Sequence, residues 1–216
     1  MRNTLGIIFD LDGVLLLSRD CHRRAFDEVL AGFGISDFNY DHFAGWRTPE
    51  VFRAVFAAHS EMEVTAVEIA ECSTRKSARA RQLLAAEAPI APMCVSVLQR
   101  CAQRFSLALA SSGSRASVQA FLDLTGTASI FQSVLSGDDV MKAKPDPELF
   151  TRSIEALRLP ASSCVVIEDA PAGVQAARLA GARAIGMGLD HEQELRKAGA
   201  ELVVGSLSEL AAVFSL

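Results

Sequence analysis

Two aspartates stand directly after the first apolar run of the chain. Asp10 and Asp12 follow residues 5–9 and precede Gly13. Side chains two positions apart on an extended chain point the same way, so both carboxylates can address one site. The glycine allows the backbone to turn sharply behind them. Acidic residues also commonly end strands at turns, so this pair alone is weak evidence for chemistry.

Hydroxyl groups follow a later apolar run. Ser111 and Ser112 come after the predicted strand 106–110, and Ser114 opens a predicted helix. Hydroxyls and backbone N–H groups at the start of a helix suit a phosphate group. An ordinary helix cap explains the same residues equally well.

A lysine and an acidic pair complete the set. Lys144 stands before a proline that restricts the backbone, and it could neutralise a phosphate or a phosphorylated carboxylate. A solvated lysine is the ordinary alternative. Glu168 and Asp169 are adjacent at the end of another apolar run, and a divalent cation between them and Asp10 would relieve their repulsion. Mg²⁺ is the oxygen-seeking choice, because no histidine or cysteine competes in this motif.

Short apolar runs predict the strands that position these residues. They cover residues 5–9, 106–110, 133–135, 164–167, 183–187 and 202–204. Helical spacing occupies residues 92–104, 114–124, 147–157 and 172–180. The alternation predicts an α/β fold, a doubly wound parallel sheet with helices on both faces. Ligands bind such sheets at the carboxyl ends of the strands.

The segment between the first two strands breaks this alternation. Residues 17–88 contain no convincing strand and predict three helices: one from Ser18 through Leu30, one that begins at Thr48 as its cap, and one over 65–87. We therefore expect a core of residues 1–16 and 90–216 and a helical cap of residues 17–89 inserted after strand 1. Such a cap is a natural lid over the site.

Composition limits the partners. The 216 residues carry a net charge of −5, which argues against a nucleic-acid binder. No run approaches a membrane span, and the first residues lack a secretory signal, so we expect a cytoplasmic protein without a membrane partner. The five cysteines have no metal-like spacing and predict buried thiols. Nothing marks an interface, so we expect a monomer.

The four motifs together resemble those of a known family. In chain order they read DLDGV, SSGS, KPDPELF and EDAPAG. This set resembles the haloacid dehalogenase-like superfamily, and more narrowly the branch that holds β-phosphoglucomutase and related sugar-phosphate phosphatases. The resemblance covers nearly the whole chain, including the helical cap, and it implies a Rossmann-like core.

The resemblance implies a role for each motif. Asp10 would attack the substrate phosphorus and become an aspartyl phosphate, while Asp12 would act as general acid and then as general base. Ser111, Ser112 and Lys144 would hold the phosphate oxygens. The Mg²⁺ cofactor would be held by the Asp10 carboxylate, the Asp12 carbonyl, Asp169 and Glu168.

Two other activities of the superfamily fit less well. Dehalogenases lack an acid at the position of Asp12, because a leaving halide needs no proton. Phosphonate-cleaving relatives need a cap lysine that forms a Schiff base. Residues 15–75 contain no lysine, and Lys76 is predicted in a long helix away from the required position.

The resemblance implies that the cap faces the substrate at three candidate residues, His22, Trp46 and Arg47. Each has an alternative: packing or surface exposure for His22, contact between cap and core for Trp46, and a solvent-exposed charge before a helix for Arg47. In the mutase a cap arginine grips a second phosphate, but the offset of Arg47 from Gly45 matches that position poorly.

Departures from the family pattern weaken mutase activity. Leu17 replaces a common aspartate and Ala143 a common glycine, and residues 113–115 differ from those that help the mutase bind its second phosphate. We therefore expect a phosphatase that acts on a small phosphorylated metabolite, such as a sugar phosphate. A hexose phosphomutase is the first alternative, and a non-catalytic phosphate-binding protein is a weaker one.

Overall fold

The computed structural model describes residues 3–59 and 64–216. Its strands are β1 (Gly6–Phe9), β2 (Ser106–Ala110), β3 (Ser133–Leu135), β4 (Cys164–Glu168), β5 (Arg183–Met187) and β6 (Leu202–Val204). Its α-helices are α1 (Arg19–Leu30), α2 (Thr48–Ala58), α3 (Ala66–Glu87), α4 (Cys94–Ala102), α5 (Arg115–Thr125), α6 (Glu148–Leu157), α7 (Pro171–Leu179), α8 (Glu192–Ala198) and α9 (Leu207–Val213).

The strands form one parallel sheet in the order β3-β2-β1-β4-β5-β6. This is the doubly wound Rossmann order, which leaves a ligand crevice where the winding reverses. Phe9 pairs with Leu109 on one side and Ile167 on the other. The register therefore brings Asp10 and Glu168 to the same edge of the sheet, and the predicted fold class is confirmed.

Both faces of the sheet are covered. Ile7 and Phe9 of β1 belong to one buried apolar cluster, and Ile8 belongs to a second cluster on the opposite face. Strands buried on both faces need no polar alternation, which is why the short apolar runs located them. The two helices near the C-terminus, α8 and α9, were not among the predicted helices.

Helices α1, α2 and α3 lie between β1 and β2 and pack on one another. Their apolar cluster centres on Phe26, Phe52 and Phe56, separate from the clusters of the sheet. We use the word cap for residues 17–59 and 64–89, the described part of the predicted helical insertion. The boundaries 1–16, 17–89 and 90–216 stay a prediction, and residues 1–2 and 60–63 lie outside the described residues.

The start of α2 differs by one residue from the prediction. Arg47 occupies the N-cap position and Thr48 is the first helical residue, with Pro49 next to it in the first turn. The longer α3 begins after Thr65, whose hydroxyl and the Glu68 carboxylate form a reciprocal capping box.

No helix in the described ranges is both long and apolar enough to cross a membrane. All five cysteines are buried free thiols.

Candidate active site

A cavity of about 50 Å³ lies over the carboxyl ends of β1 and β4. Asp10, Asp12 and Asp169 line it from the sheet side, and Ser112 lines it from the loop after β2. The cap contributes side chains from the opposite side: Arg19, His22, Phe26, Tyr40, Trp46, Thr48 and Lys76. Three of the four sequence motifs therefore border one enclosed space, and the cap covers it.

The remaining motif reaches the site through Lys144, which lies behind Asp10, next to Glu168 at the end of β4. Its ammonium group lies 2.6 Å from Oδ1 of Asp10 and 2.6 Å from Oε1 of Glu168. It is only 3% exposed, and the Lys144–Pro145 peptide bond is cis. Lys144 is therefore a buried cation that fixes one oxygen of Asp10 and leaves the other, Oδ2, without a hydrogen bond from the described residues.

Glu168 is fully buried and engaged through both oxygens. Oε1 accepts from Lys144, and Oε2 accepts from the Ala170 N–H at 2.7 Å. A side chain at Gly173 would meet Oε1 at 1.8 Å, so only glycine leaves room for this carboxylate. Glu168 therefore positions Lys144, and its role as a direct metal ligand stays a prediction.

The carboxylates of the cavity repel one another in spite of Lys144. Burial, opposed by Lys144 but reinforced by the charges of Glu168 and Asp12, raises the pKa of Asp10 to about 8. Burial and the charges of Glu168 and Asp10 likewise raise the pKa of Asp169 well above its usual range. Negative charge is in excess at the bottom of the cavity, and a cation would neutralise it.

The donor set fits Mg²⁺. Asp10 and Asp169 supply free carboxylate oxygens, and Gly13, at φ +79°, allows Asp169 to approach, because a Cβ there would lie 1.9 Å from Oδ2 of Asp169. No cluster of three or more His, Cys, Asp or Glu side chains in the described residues could hold a metal ion alone. Mg²⁺ needs no such cluster, since it commonly binds one or two carboxylates together with water and substrate phosphate oxygens.

Asp12 is held by a chain of side chains that leads into the cap. Its Oδ1 accepts from the Ser18 hydroxyl at 2.6 Å and lies 2.8 Å from Nε2 of His22. Nδ1 of His22 lies 2.9 Å from the Lys76 ammonium group. Because an ammonium group only donates, we assign Nδ1 as an acceptor and Nε2–H as the donor to Asp12. Ser18 thus holds Asp12 although, as predicted, it stands at the N-cap of α1.

The same contacts set the proton affinity of Asp12. Burial alone would raise its pKa, but His22, Ser18 and Lys76 together lower the pKa well below the usual range of an aspartate. Asp12 is therefore ionised with the cap in this position. Its second oxygen, Oδ2, faces the loop after β2, within 3.6 Å of the point where a Cβ of Gly113 would lie.

Lys76 was expected in a long helix, away from the position of a Schiff-base lysine; the structure places it in the long helix α3 with its side chain at the cavity. It is 5% exposed, lines the cavity and contacts His22 across 54 residues of sequence. Burial lowers its pKa to about 8, in spite of the attraction of Asp12. The cap therefore does bring a lysine to the site, so the lack of lysine in residues 15–75 no longer argues against lysine chemistry there, but the ammonium group of Lys76 is bonded to His22.

The two serines predicted to bind phosphate have different surroundings. Ser111 is fully buried and its hydroxyl accepts from the Gly113 N–H at 2.9 Å. Ser112 lines the cavity, and its hydroxyl donates to the Gly45 carbonyl of the cap at 2.8 Å. In this arrangement Ser112 is the hydroxyl at the cavity wall, and Ser111 supports the loop.

Arg47 also joins the cap to the core. Its guanidinium group donates to the Met141 carbonyl at 3.2 Å and to the Val140 carbonyl at 3.5 Å. It is half-buried and bonded to the core instead of free in solvent, and it lines a second cavity beside the first one. Its contact with substrate stays a prediction. Together with the bond from Ser112 to Gly45, Arg47 fastens the cap loop 45–47 over the site.

Two aromatic residues border the cavity. Trp46 is 40% exposed and meets Phe43 edge-on at 5.7 Å between ring centroids. Tyr40, the single tyrosine of the chain, was missed by sequence reasoning, since no motif surrounds it. Burial and nearby carboxylates raise its pKa above the usual range, so its hydroxyl stays protonated and has no hydrogen-bond partner among the described residues.

Residues 7–187 match the model of the haloacid dehalogenase-like hydrolase family. The match spans most of the chain and includes all four motifs. The chain therefore belongs to this family, as the sequence predicted, and it is an enzyme of the class that hydrolyses phosphate esters.

The relatives of the chain include phosphatases and a mutase. It is 31% identical over 215 residues to validoxylamine A 7'-phosphate phosphatase of Streptomyces hygroscopicus subsp. limoneus, covering 94% of each chain. It is 30% identical over 185 residues to fructose-1-phosphate phosphatase YqaB of Escherichia coli, covering 83% of this chain and 94% of the relative. The crystal structure of β-phosphoglucomutase from Clostridium difficile superposes with a TM-score of 0.85 at 25% identity, covering 98% and 95%.

Proposed function

We propose that this protein is a Mg²⁺-dependent phosphatase of a small sugar phosphate, acting through an aspartyl phosphate on Asp10. The observation that carries the proposal is the enclosure of Asp10 and Asp12 in one cavity, with Lys144 2.6 Å from Asp10 beneath it. One carboxylate is restrained by a buried cation and the other by a hydrogen-bonded network. The environments of the two carboxylates differ, as required when one attacks and the other transfers protons.

In the first half-reaction an oxygen of Asp10 forms a bond to phosphorus as the ester P–O bond breaks. Asp12, in its protonated form, gives its proton to the departing alcohol. The ionised state of Asp12 in the free protein is favoured by Ser18 and His22. A phosphate dianion next to Oδ2 raises the proton affinity of Asp12, so substrate and proton enter the site together.

In the second half-reaction Asp12 takes a proton from water. The resulting hydroxide attacks phosphorus, the bond to Asp10 breaks, and inorganic phosphate leaves. The network from Asp12 through His22 to Lys76 stabilises the carboxylate form that this step requires. One residue thus serves as acid and then as base.

Asp10 and Asp169 would hold Mg²⁺ together with the Asp12 carbonyl. When bound, the cation supplies positive charge next to the transferred group, which is the main catalytic need of phosphoryl transfer. Lys144 supplies a second positive charge at Asp10 itself. The backbone N–H groups of the loop after β2 would supply hydrogen bonds to phosphate oxygens, and the Ser112 hydroxyl would add one once it turns away from the Gly45 carbonyl.

The sugar-phosphate assignment rests on the relatives and on the site. Fructose-1-phosphate phosphatase is named for a sugar phosphate, and the cavity here is lined with hydroxyl and carboxylate groups and a few aromatic rings. Such a lining suits a small polar molecule better than a peptide or a lipid.

The test is phosphate release from a panel of hexose and pentose phosphates, with Mg²⁺ and with EDTA. The proposal expects metal-dependent release from a few sugar phosphates and none with Asp10→Asn. Release that persists in EDTA would contradict the metal requirement. Release that persists in Asp10→Asn would contradict the role of the nucleophile.

A hexose phosphomutase is the second candidate, and the fastened cap loop favours it. A cap held over the site by Ser112 and Arg47 limits the entry of water, so the phosphoryl group could pass to a second sugar instead. A mutase requires a bisphosphate activator and hydrolyses its phosphoenzyme slowly. Isomerisation of glucose 1-phosphate that appears only with the activator would favour this candidate over the phosphatase.

A further inference from the structure

A groove of about 160 Å³ lies between helix α3 of the cap and helix α5 of the core. Its described lining shares no residue with the cavity over Asp10. Residues of α3 between 81 and 85 form one wall, and residues of α5 between 117 and 124 form the other. A molecule in this groove would therefore contact the cap and the core at once without reaching the reacting carboxylates.

The groove is apolar at its floor and along most of its walls. Leu16 and Phe121, which are 4% and 2% exposed, form the floor. The walls consist mainly of aliphatic side chains: Leu84, Ala85, Ala120 and Leu124. Leu124 is 53% exposed, so an apolar ligand in the groove would remove apolar surface from water, which is favourable.

The floor of the groove lies next to the two places where the chain crosses between core and cap. Leu16 pairs with Ile90 in an isolated antiparallel bridge. The Leu17 N–H donates to the Pro89 carbonyl at 2.7 Å. These contacts join the segment that enters the cap to the segment that leaves it. A ligand in the groove would therefore bind beside the connection on which any movement of the cap depends.

Arg81 is the one cation in the described lining of the groove, and no acid accompanies it there. It is half-buried and forms no ion pair or hydrogen bond with the described residues, whereas Arg79 on the same helix binds Glu28 at 2.6 and 2.9 Å. The Ser117 hydroxyl lies 3.0 Å from that of Ser114. An unpaired guanidinium group beside apolar walls suits a molecule with an apolar body and one anionic end.

The dimensions of the groove limit its occupant to a small molecule. An apolar cavity of about 150 Å³ binds a single benzene, so this groove has room for one ring or a short chain of similar size. The walls extend over about one turn of α3 and about two turns of α5. A helix from a partner protein would need a longer surface.

We propose that the groove is a binding site for a small apolar monocarboxylate, with the apolar part between α3 and α5 and the carboxylate on Arg81. The site is separate from the proposed function and does not depend on it. A carboxylate is favoured over a phosphate, because one guanidinium group balances one charge and a dianion would stay partly unpaired beside apolar walls. Burial of one ring alone gives a dissociation constant of about 10 mM, and the charged pair should tighten it about tenfold.

The matched probes are 3-phenylpropanoate and the neutral 3-phenylpropan-1-ol, each titrated into ¹⁵N-labelled protein and followed by NMR of the backbone amides. Both should shift amides of α3 and α5 beside the groove, and the carboxylate should bind about tenfold more tightly. Arg81→Gln should lower this ratio to about twofold, because the charge of the pair is lost. Arg75→Gln should leave the ratio unchanged, since Arg75 is exposed on the same helix and lies outside the groove.

Ala120→Phe should fill the groove and abolish the shifts from both probes. Ala116→Phe is its control, at an exposed position of α5 outside the groove, and should keep them. Equal affinities of the two probes in the wild type would overturn the role of Arg81, whether or not the Ala120 variant folds. Shifts confined to other parts of the protein, or no shifts up to about 30 mM, would overturn the site.

Discussion

The ammonium group of Lys76 lies 2.9 Å from Nδ1 of His22, and this contact links the longest cap helix to Asp12, the carboxylate proposed to transfer protons. The other nitrogen of His22 lies 2.8 Å from Asp12. The state of Asp12 therefore depends on where the cap stands. If the cap moved away and took Lys76 with it, Nδ1 of His22 would lose its donor and the ring could change tautomer. The negative charge of Asp12 would then be less stabilised.

Replacing Lys76 by methionine should stabilise the fold below pH 8. The folded state lowers the pKa of Lys76 from 10.5 to about 8, so between these values the unfolded chain holds a proton that the folded chain has lost. The free energy of unfolding therefore rises with pH across that window, and below pH 8 the folded state bears the full cost of burying a charged Lys76. Lys76→Met removes a penalty of roughly 3 kcal/mol, at about 1.4 kcal/mol per pKa unit.

Urea unfolding of wild type and Lys76→Met at pH 7, 8, 9 and 10 measures this difference. The variant should be more stable at pH 7, and the gap should narrow toward pH 10. Lys197→Met, at an exposed position on α8, is the control and should show no such trend. A gap that is constant with pH would mean that Lys76 does not titrate near pH 8.

Replacing Arg47 by alanine should loosen the cap loop without unfolding the protein. The side chain donates to the carbonyls of Val140 and Met141 at the rim of the core, and each such bond contributes about 1 kcal/mol. We expect KM to rise by about fivefold and kcat to change less. Steady-state kinetics with a singly phosphorylated sugar measures both quantities.

Arg53→Ala is the matched control for Arg47, because Arg53 is exposed on α2 and outside both cavities. Its kinetic constants should equal those of the wild type. If Arg47→Ala leaves KM unchanged, the contact with the core does not hold the cap in solution.

Adding Mg²⁺ should raise the melting temperature, and Asp169→Asn should remove most of that rise. The cation would neutralise the repulsion between Asp10 and Asp169, whose pKa values stay raised although the charge of Lys144 opposes that rise. For the same reason Asp169→Asn without Mg²⁺ should be at least as stable as the wild type. Thermal unfolding over a Mg²⁺ series measures both effects.

Asp190→Asn is the control for the metal prediction. Asp190 is an exposed acid on the rim of a neighbouring cavity that Asp169 also borders. It should keep the full Mg²⁺ response. An Asp169→Asn protein that still responds to Mg²⁺ like the wild type would place the cation elsewhere.

Replacing Asp12 by asparagine should separate the two half-reactions. p-Nitrophenyl phosphate has a good leaving group that needs no proton, so phosphorylation of Asp10 should continue. Attack by water should slow by about 10²- to 10⁴-fold, the usual contribution of general base catalysis. Stopped-flow absorbance should show a burst of one nitrophenolate per protein followed by slow turnover. Fast steady turnover would remove Asp12 from the second step.

The strands and the main motifs could be predicted because they depend on local sequence. Apolar runs bounded by small or acidic residues placed β1 and β4 within one residue, and parallel strands put Asp10 and Glu168 at one edge. Lys144 could be assigned to that edge only through the resemblance, since the sequence alone favoured a solvated lysine. Lys144 is only 3% exposed and contacts two carboxylates, and both features arise from tertiary packing that local sequence does not show.

The cap side of the site could not be predicted in the same way. Lys76 follows the helical pattern of α3 like its neighbours, and its direction toward His22 depends on how α3 docks against α1. Arg47 finds its partners 93 and 94 residues later in backbone carbonyls, which carry no sequence signal. Ser18 was correctly placed at the helix start, but its hydroxyl serves Asp12 instead of the helix.

The central claim is that Asp10 carries the phosphoryl group, and mass spectrometry of acid-quenched protein tests it most directly. The protein is mixed with Mg²⁺ and a sugar phosphate that it hydrolyses, and the reaction is quenched within milliseconds. The protein should then gain the mass of one phosphoryl group. Digestion should place that group on the peptide containing Asp10, and hydroxylamine should remove it. Asp10→Asn should show no gain. Steady turnover with no phosphorylated protein at any quench time, or phosphate on another residue, would contradict the account.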